Sequence, residues 1–187
     1  KFIYASGPND FKYKDHGIIN PIVIDNTGIW RDEKGLGRHL NGGASKVILT
    51  APGKDNIKNI VFGVNDSKLD TSDSIISAAS CTTNAIVPVL KLINDKYKIT
   101  SGHIETVHSY TNDQNLIDNY HSGDRRGRSA ALNMVITSTG AVSAVAKAIP
   151  ELKGVLTGNA IRVPTPNVSL AVMSLMLNQE TTKESVN

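Results

Sequence analysis

Cysteine is almost missing from this chain: 187 residues contain one, Cys81. A single thiol excludes an intramolecular disulfide framework and fits a reducing, cytoplasmic compartment. No Cys/His spacing of the chelating kind occurs, so no metal is expected. No apolar run approaches the roughly 20 residues that cross a membrane, and Lys1 opens no signal-peptide pattern. Charge of one sign does not dominate either: 20 basic and 17 acidic residues leave a formal +3. That balance is too weak to argue for nucleic acid and points instead to local phosphate or carboxylate sites. Repeats and low-complexity tracts are absent, and 40% hydrophobic content supports a core rather than disorder. The length leaves room for one large domain or two small ones.

Neither end reads as a natural terminus. Lys1-Phe2-Ile3-Tyr4 starts in mid-pattern without a Met, and Glu180 to Asn187 reads as the opening of a Thr-capped helix with no body. A fragment is expected. A dinucleotide fingerprint is also missing. Gly35-Leu36-Gly37-Arg38-His39-Leu40 supplies two of three glycines, but it follows charged, helix-like sequence where a strand is required. If a dinucleotide binds, its phosphate loop lies upstream of Lys1.

What is there alternates between strand and helix. Pro21 to Gly28 reads as a short buried strand running into a turn, and Arg31-Asp32-Glu33-Lys34 begins a polar helix ending near Gly42-Gly43. Lys46 to Gly53 is a second strand with a tight exit, Ile60 to Val64 a third, and Ser74 to Ala78 a fourth. Strands alternating with helices imply a mostly parallel sheet with helices on its faces. Ligands in such sheets bind beyond the carboxyl ends of the strands, where Thr27-Gly28 and Thr50-Ala51 lie. A plain turn is the alternative for each.

The fourth strand leads into Ser80-Cys81-Thr82-Thr83-Asn84-Ala85. After it, apolar residues recur at 85, 89 and 93 and at 86 and 90, a helical spacing. Ser80 is placed as an N-cap, so Cys81 falls in the first turn. Unpaired backbone N–H groups and the positive end of the helix dipole stabilise negative charge there, which suits a nucleophile. The alternative is a small buried hydrophobe. His108, in the β-rich segment Gly102 to Tyr110, is the candidate base.

Residues 110 to 133 form a long polar stretch with three arginines, Arg125, Arg126 and Arg128, which hold phosphate or form a solvated face. Ser138-Thr139-Gly140-Ala141 opens a small-residue helix to about Ala148, a ready anion site or only a cap. Leu156 to Val163 and Ser169 to Leu177 alternate as strands do. Arg162, inside the first of these, needs an anionic partner or a way to solvent and is the better phosphate candidate.

Four motifs occur in order: Ser80-Cys81-Thr82-Thr83-Asn84, His108 to Gln114, Thr139-Gly140-Ala141, and Arg162-Val163-Pro164-Thr165-Pro166-Asn167-Val168. Together they resemble the phosphorylating glyceraldehyde-3-phosphate dehydrogenases, whose catalytic pair has the 27-position spacing of Cys81 and His108. The resemblance extends upstream through Leu49-Thr50-Ala51-Pro52-Gly53-Lys54 and covers nearly the whole chain. It implies the C-terminal part of a Rossmann-type doubly wound dinucleotide-binding domain (residues 1–80), then an α+β catalytic domain with a mixed sheet (residues 81–187), each incomplete. It implies oxidation of glyceraldehyde 3-phosphate to an acyl phosphate, with Cys81 as nucleophile, His108 as base, and inorganic phosphate as second substrate. Thr111 and Arg162, with Asp113 nearby, would hold the substrate phosphate. Ser80, Thr82, Thr139 and Gly140 would surround the attacking phosphate, with Arg126 joining one of these sites. Thr27, Gly28, Thr50 and Ala51 would line the site for NAD, with NADP left open because the ribose-reading residue lies outside the chain. The family is a cytoplasmic homotetramer in which the 110–133 loop reaches a neighbour's cofactor pocket.

Ile22 to Trp30 departs from the commonest family pattern. Three alternatives remain. An erythrose-4-phosphate dehydrogenase would keep Cys81 and His108 but not the Tyr110-Thr111 and Thr139-Gly140 pairs. A Cys-His hydrolase would need no nicotinamide and no Thr/Arg anion site. The literal 187-residue piece would be inert alone.

Overall fold

In the computed structural model, described at residues 2–123 and 125–187, the chain divides into two compact units, residues 1–88 and 89–187. The first unit holds four strands, β1 (Ile22–Asp25), β2 (Lys46–Leu49), β3 (Lys58–Asn59) and β4 (Ile75–Ser77), in the order β1-β2-β4-β3 and all parallel. Helix α1 (Glu33–Asn41) connects β1 to β2. Asp32 caps it by accepting from the Gly35 N–H, and Gly42 closes it. Leu36, Val47, Leu49 and Ile57 are buried together beneath Trp30 and Leu40.

Two expectations for this unit need correction. The strand at 22–25 is not buried: it is an edge of the sheet, and Ile22 and Ile24 are about 60% exposed, with only Asp25 interior. The apolar run Ile60 to Val64 is a turn, and the paired residues are Lys58 and Asn59 just before it. Turn chemistry overrides β propensity there. Val61 N–H donates to Asn65 Oδ1, Gly63 N–H donates to Asp66 Oδ1, and Gly63 takes φ +78.

Helix α2 (Cys81–Tyr97) starts in the first unit and ends in the second, with Pro88 inside it. Pro88 has no N–H to offer the carbonyl of Asn84. The second unit holds β5 (Ile99–Ser109), β6 (Val135–Thr137), helix α3 (Ala141–Ala148), β7 (Leu156–Val163), β8 (Ser169–Leu177) and the short helix α4 (Lys183–Val186). Its sheet is mixed, in the order β6-β7-β5-β8: β5 is parallel to β7 and antiparallel to β8, and β6 is antiparallel to β7. Strands β7 and β8 have the bounds read from the sequence, and β8 alternates in burial; β6, three residues long, was not anticipated. Gly102 sits where a Cβ would meet Leu175 at 2.7 Å and Leu156 at 2.9 Å, so a side chain at that point would force both leucines to shift.

Between β5 and β6 the chain runs as turns held by its own polar groups. Asn119 N–H donates to the Gly127 carbonyl, Ala130 N–H to the Asn115 carbonyl, and Ser129 N–H to Asp118 Oδ1. Arg128 bonds the other oxygen of Asp118 at 2.8 Å. The Ser129 N–H, then Arg128, holds the Asp118 carboxyl below the usual carboxylate range. A depressed folded-state value means the stabilisation is complete at neutral pH and fades as acid protonates Asp118. Asp118→Asn should therefore speed tryptic cleavage after Arg125, Arg126 or Arg128 by roughly threefold or more at neutral pH, followed by gel and mass spectrometry. Acidification of the unmodified chain should loosen the same loop.

Candidate functional site

In the first unit, three parallel strands end at Asp25, Leu49 and Ser77, and the candidate residues follow directly: Thr27-Gly28, Thr50-Ala51 and Ser80-Cys81. Asp25 organises the first turn. Its Oδ1 accepts from the Thr27 N–H at 2.7 Å and the Thr27 hydroxyl at 2.6 Å. Behind it lies a chain of polar groups: His39 Nε2 is 3.4 Å from Asp25 Oδ2, and His39 Nδ1 is 2.9 Å from the Tyr13 hydroxyl. Burial, then the Asp25 charge, raises the Tyr13 pKa, so Tyr13 keeps its proton and donates it to Nδ1. The Nε2–H of His39 then faces the carboxylate. Thr50 Oγ1 reaches the Asp25 carbonyl at 3.2 Å and Asn26 Oδ1 at 3.0 Å, drawing the two loops together. Beside Thr27 opens a cavity of ≈ 400 Å³ walled by Phe11, Tyr13, Ile29, Trp30 and His39.

The passage from β4 into α2 is the second part. Ser77, fully buried, shares its hydroxyl proton between the Ala51 carbonyl at 2.7 Å and Asn59 Oδ1 at 3.0 Å, and accepts from Gly53 N–H and Ala79 N–H. Ala79 is left-handed at φ +60, which costs a non-glycine residue about 1–2 kcal/mol; its methyl is buried, 3% exposed. The Asn84 amide donates to the carbonyls of Ala78 at 2.7 Å and Ser80 at 2.9 Å. Ser80 Oγ accepts from Thr83 N–H at 3.1 Å and lies 2.6 Å from the Thr83 hydroxyl, which makes it the N-cap expected from the sequence. Cys81 follows on the first turn, exposed, with Thr82 Oγ1 3.9 Å from its sulfur.

The second unit gathers another set. His108 on β5 pairs in register with Arg162 on β7 and Ser169 on β8. His108 Nδ1 lies 2.6 Å from the Ser109 carbonyl. Arg162 Nη1 donates to the same carbonyl at 3.1 Å, lies 3.0 Å from Nδ1, and reaches Thr111 Oγ1 at 3.5 Å. His108, Thr111 and Arg162 are thus one cluster. Asp113 pairs with Arg126, whose Nε donates to Thr137 Oγ1 at 3.3 Å. That bond ties the loop to the strand leading into Thr139 and Gly140. Gly140 caps α3, and Thr139 Oγ1 accepts from the Ala141 N–H. Among the described residues no group of His, Cys, Asp or Glu is arranged to hold a metal ion.

Sequence reasoning passed over Asp25, Ser77 and Asn84. Asp25 was findable: Asp-Asn-Thr-Gly at a strand end is an Asx-turn signature. Ser77 and Asn84 carry no local signal, because their partners are set by the fold.

The geometry can be set beside known proteins. Residues 80–187 match the family described as glyceraldehyde 3-phosphate dehydrogenase, C-terminal domain. A glyceraldehyde-3-phosphate dehydrogenase-like protein of Pseudomonas aeruginosa (strain UCBPP-PA14) is 63% identical over 186 residues, covering 99% of this chain and 40% of that protein. Glyceraldehyde-3-phosphate dehydrogenase 1 of Bacillus subtilis (strain 168) is 50% identical over 167 residues, 89% of this chain and 50% of its own length. The chloroplastic glyceraldehyde-3-phosphate dehydrogenase GAPA1 of Arabidopsis thaliana is 48% identical over 180 residues, 96% of this chain and 45% of its own length. The chain spans about half the length of the curated relatives it matches. With more than half of its residues inside the matched domain, the chain belongs to the glyceraldehyde 3-phosphate dehydrogenase family.

Proposed function

We propose that this chain is part of a phosphorylating glyceraldehyde-3-phosphate dehydrogenase that works through a thioester on Cys81. The observation that carries this reading is the exposed thiol on the first turn of a capped helix, at the carboxyl end of a parallel strand. The Cys81 sulfur attacks the aldehyde carbon to give a hemithioacetal, and His108 Nε2 takes the proton. The Cys81 backbone N–H, at the helix start, stabilises the oxyanion. Loss of hydride leaves a thioester. Inorganic phosphate then attacks the thioester carbonyl, the C–S bond breaks, and the acyl phosphate leaves with Cys81 restored.

Two anion sites are required. Arg162 and Thr111 hold the substrate phosphate; Ser80, Thr82, Thr139 and Gly140 receive the attacking one, the last two at the N-terminus of α3. Arg126, tied to Asp113 and Thr137, borders the second. A nicotinamide dinucleotide fits the first unit: the aromatic cavity beside Thr27 suits a planar base, and Thr27, Gly28, Thr50 and Ala51 would hold the remainder. When bound it supplies the hydride acceptor. NAD is our reading, with NADP as the competitor in the assay.

We also infer a homotetramer in a reducing cytoplasm. One face of the mixed sheet carries Ile136, Leu170, Val172 and Met176, each about half exposed or more. An exposed face that carries these apolar side chains fits a second copy of the chain. No helix among the described residues is long and apolar enough to cross a membrane.

Three outcomes test these readings in the full gene product. Dinucleotide reduction by glyceraldehyde 3-phosphate should depend on inorganic phosphate and fall by at least about 1,000-fold in Cys81→Ser. Reduction indifferent to phosphate, preference for erythrose 4-phosphate, or cofactor-free Cys81-dependent hydrolysis would overturn the assignment. Asp25→Asn, which puts an amide N–H₂ against the His39 donor and loosens Thr27, should weaken dinucleotide binding by about tenfold in calorimetry. Val172→Glu should shift the mass in light scattering from tetramer to smaller species; an unchanged tetramer would remove this face from the interface.

A further inference from the structure

The turn that delivers Cys81 is held by one side chain whose identity neither the helix nor the core explains. Ala79, left-handed at φ +60, is where the chain changes from strand direction to helix direction. The peptide carbonyls on either side of it, those of Ala78 and Ser80, both accept from Asn84 Nδ2, at 2.7 and 2.9 Å. The N–H of Ala79 itself goes to the Ser77 hydroxyl. A primary amide has two protons, and here each goes to one of the two carbonyls that flank the strained residue. Aspartate at this position would offer none, serine one, and glutamine a longer reach. Asn84 is exposed and sits early in a helix, where asparagine is a poor helix former. Its carbonyl also lacks the usual N–H partner, because position 88 is proline. Neither burial nor helix propensity accounts for asparagine here.

We propose that Asn84 is the positioning residue for Cys81: its amide clamps the Ala78 carbonyl and the carbonyl of the Ser80–Cys81 peptide, and so fixes the direction of the Cys81 side chain and backbone N–H. The inference rests on Cys81 being the nucleophile. A clamp of this kind acts on orientation, so its loss lowers the chemical step far more than substrate binding.

The test uses the full gene product with Asn84→Ala and Asn84→Asp; the second keeps the volume and removes both donors. Each variant should lose kcat by on the order of 10- to 100-fold, with the KM for glyceraldehyde 3-phosphate changed less than about threefold. The rate of Cys81 alkylation by iodoacetamide should fall alongside kcat. If both variants keep kcat and the alkylation rate, or if kcat and KM move together with melting temperature, the clamp is overturned. Cys81→Ala separates the two ideas. Loss of activity there beside normal Asn84 variants would sink only the clamp, whereas retained activity would sink the nucleophile assignment. Should one Asn84 variant fail to fold, the other decides.

Discussion

The first unit depends on a hydroxyl with one proton and two lone pairs, all engaged. Ser77 ends β4 and is fully buried, so none of its bonds can be replaced by water without opening the unit. It donates into the loop after β2 and accepts from that same loop and from the turn before Cys81. The loop proposed to meet the dinucleotide and the turn that presents the thiol therefore share one atom. An unsatisfied buried donor costs about 1–3 kcal/mol, and losing this hydroxyl leaves two N–H groups and a carbonyl without it. The two loops are consequently set by one another, and neither can shift by much less than a hydrogen-bond length without cost to its neighbour.

Asp25 does for the first strand end what Ser77 does for the third. A carboxylate that is 4% exposed has its Oδ1 filled by Thr27 and its Oδ2 backed by His39 and Tyr13. The chain of donors runs in one direction, from the tyrosine hydroxyl through the imidazole to the carboxylate. This places the carboxylate under the Thr27-Gly28 turn, with the Thr27 N–H and hydroxyl both turned onto it. In the second unit the polar cluster has another origin: parallel register brings Arg162 beside His108, and both side chains meet one carbonyl, that of Ser109.

Much of this was legible in the sequence, and the reasons are local. Asp32 before a polar run and Gly42 after it mark α1, Ser80 marks the start of α2, and alternation marks β7 and β8. Where reading failed, composition misled or was too short to read. Ile60 to Val64 has strand composition, but Asn65 and Asp66 fold back onto its N–H groups and make a turn. β6 is three residues long, too short for a period to register. The Cys81 helix start was readable, whereas the Ser77 and Asn84 bonds that shape its approach join residues whose meeting only the folded chain decides.

The mixed sheet has a consequence for synthesis. Its central strand, Ile99–Ser109, has for neighbours only Leu156–Val163 and Ser169–Leu177, and so pairs with nothing made before it. On the ribosome it emerges with both edges bare, and its first partner is complete some 50 residues later, roughly 3–10 s at ordinary elongation rates. During that interval an eleven-residue strand offers two unpaired rows of N–H and C=O groups to any other nascent chain. The segment carrying His108 is therefore open to mispairing until its partners are made.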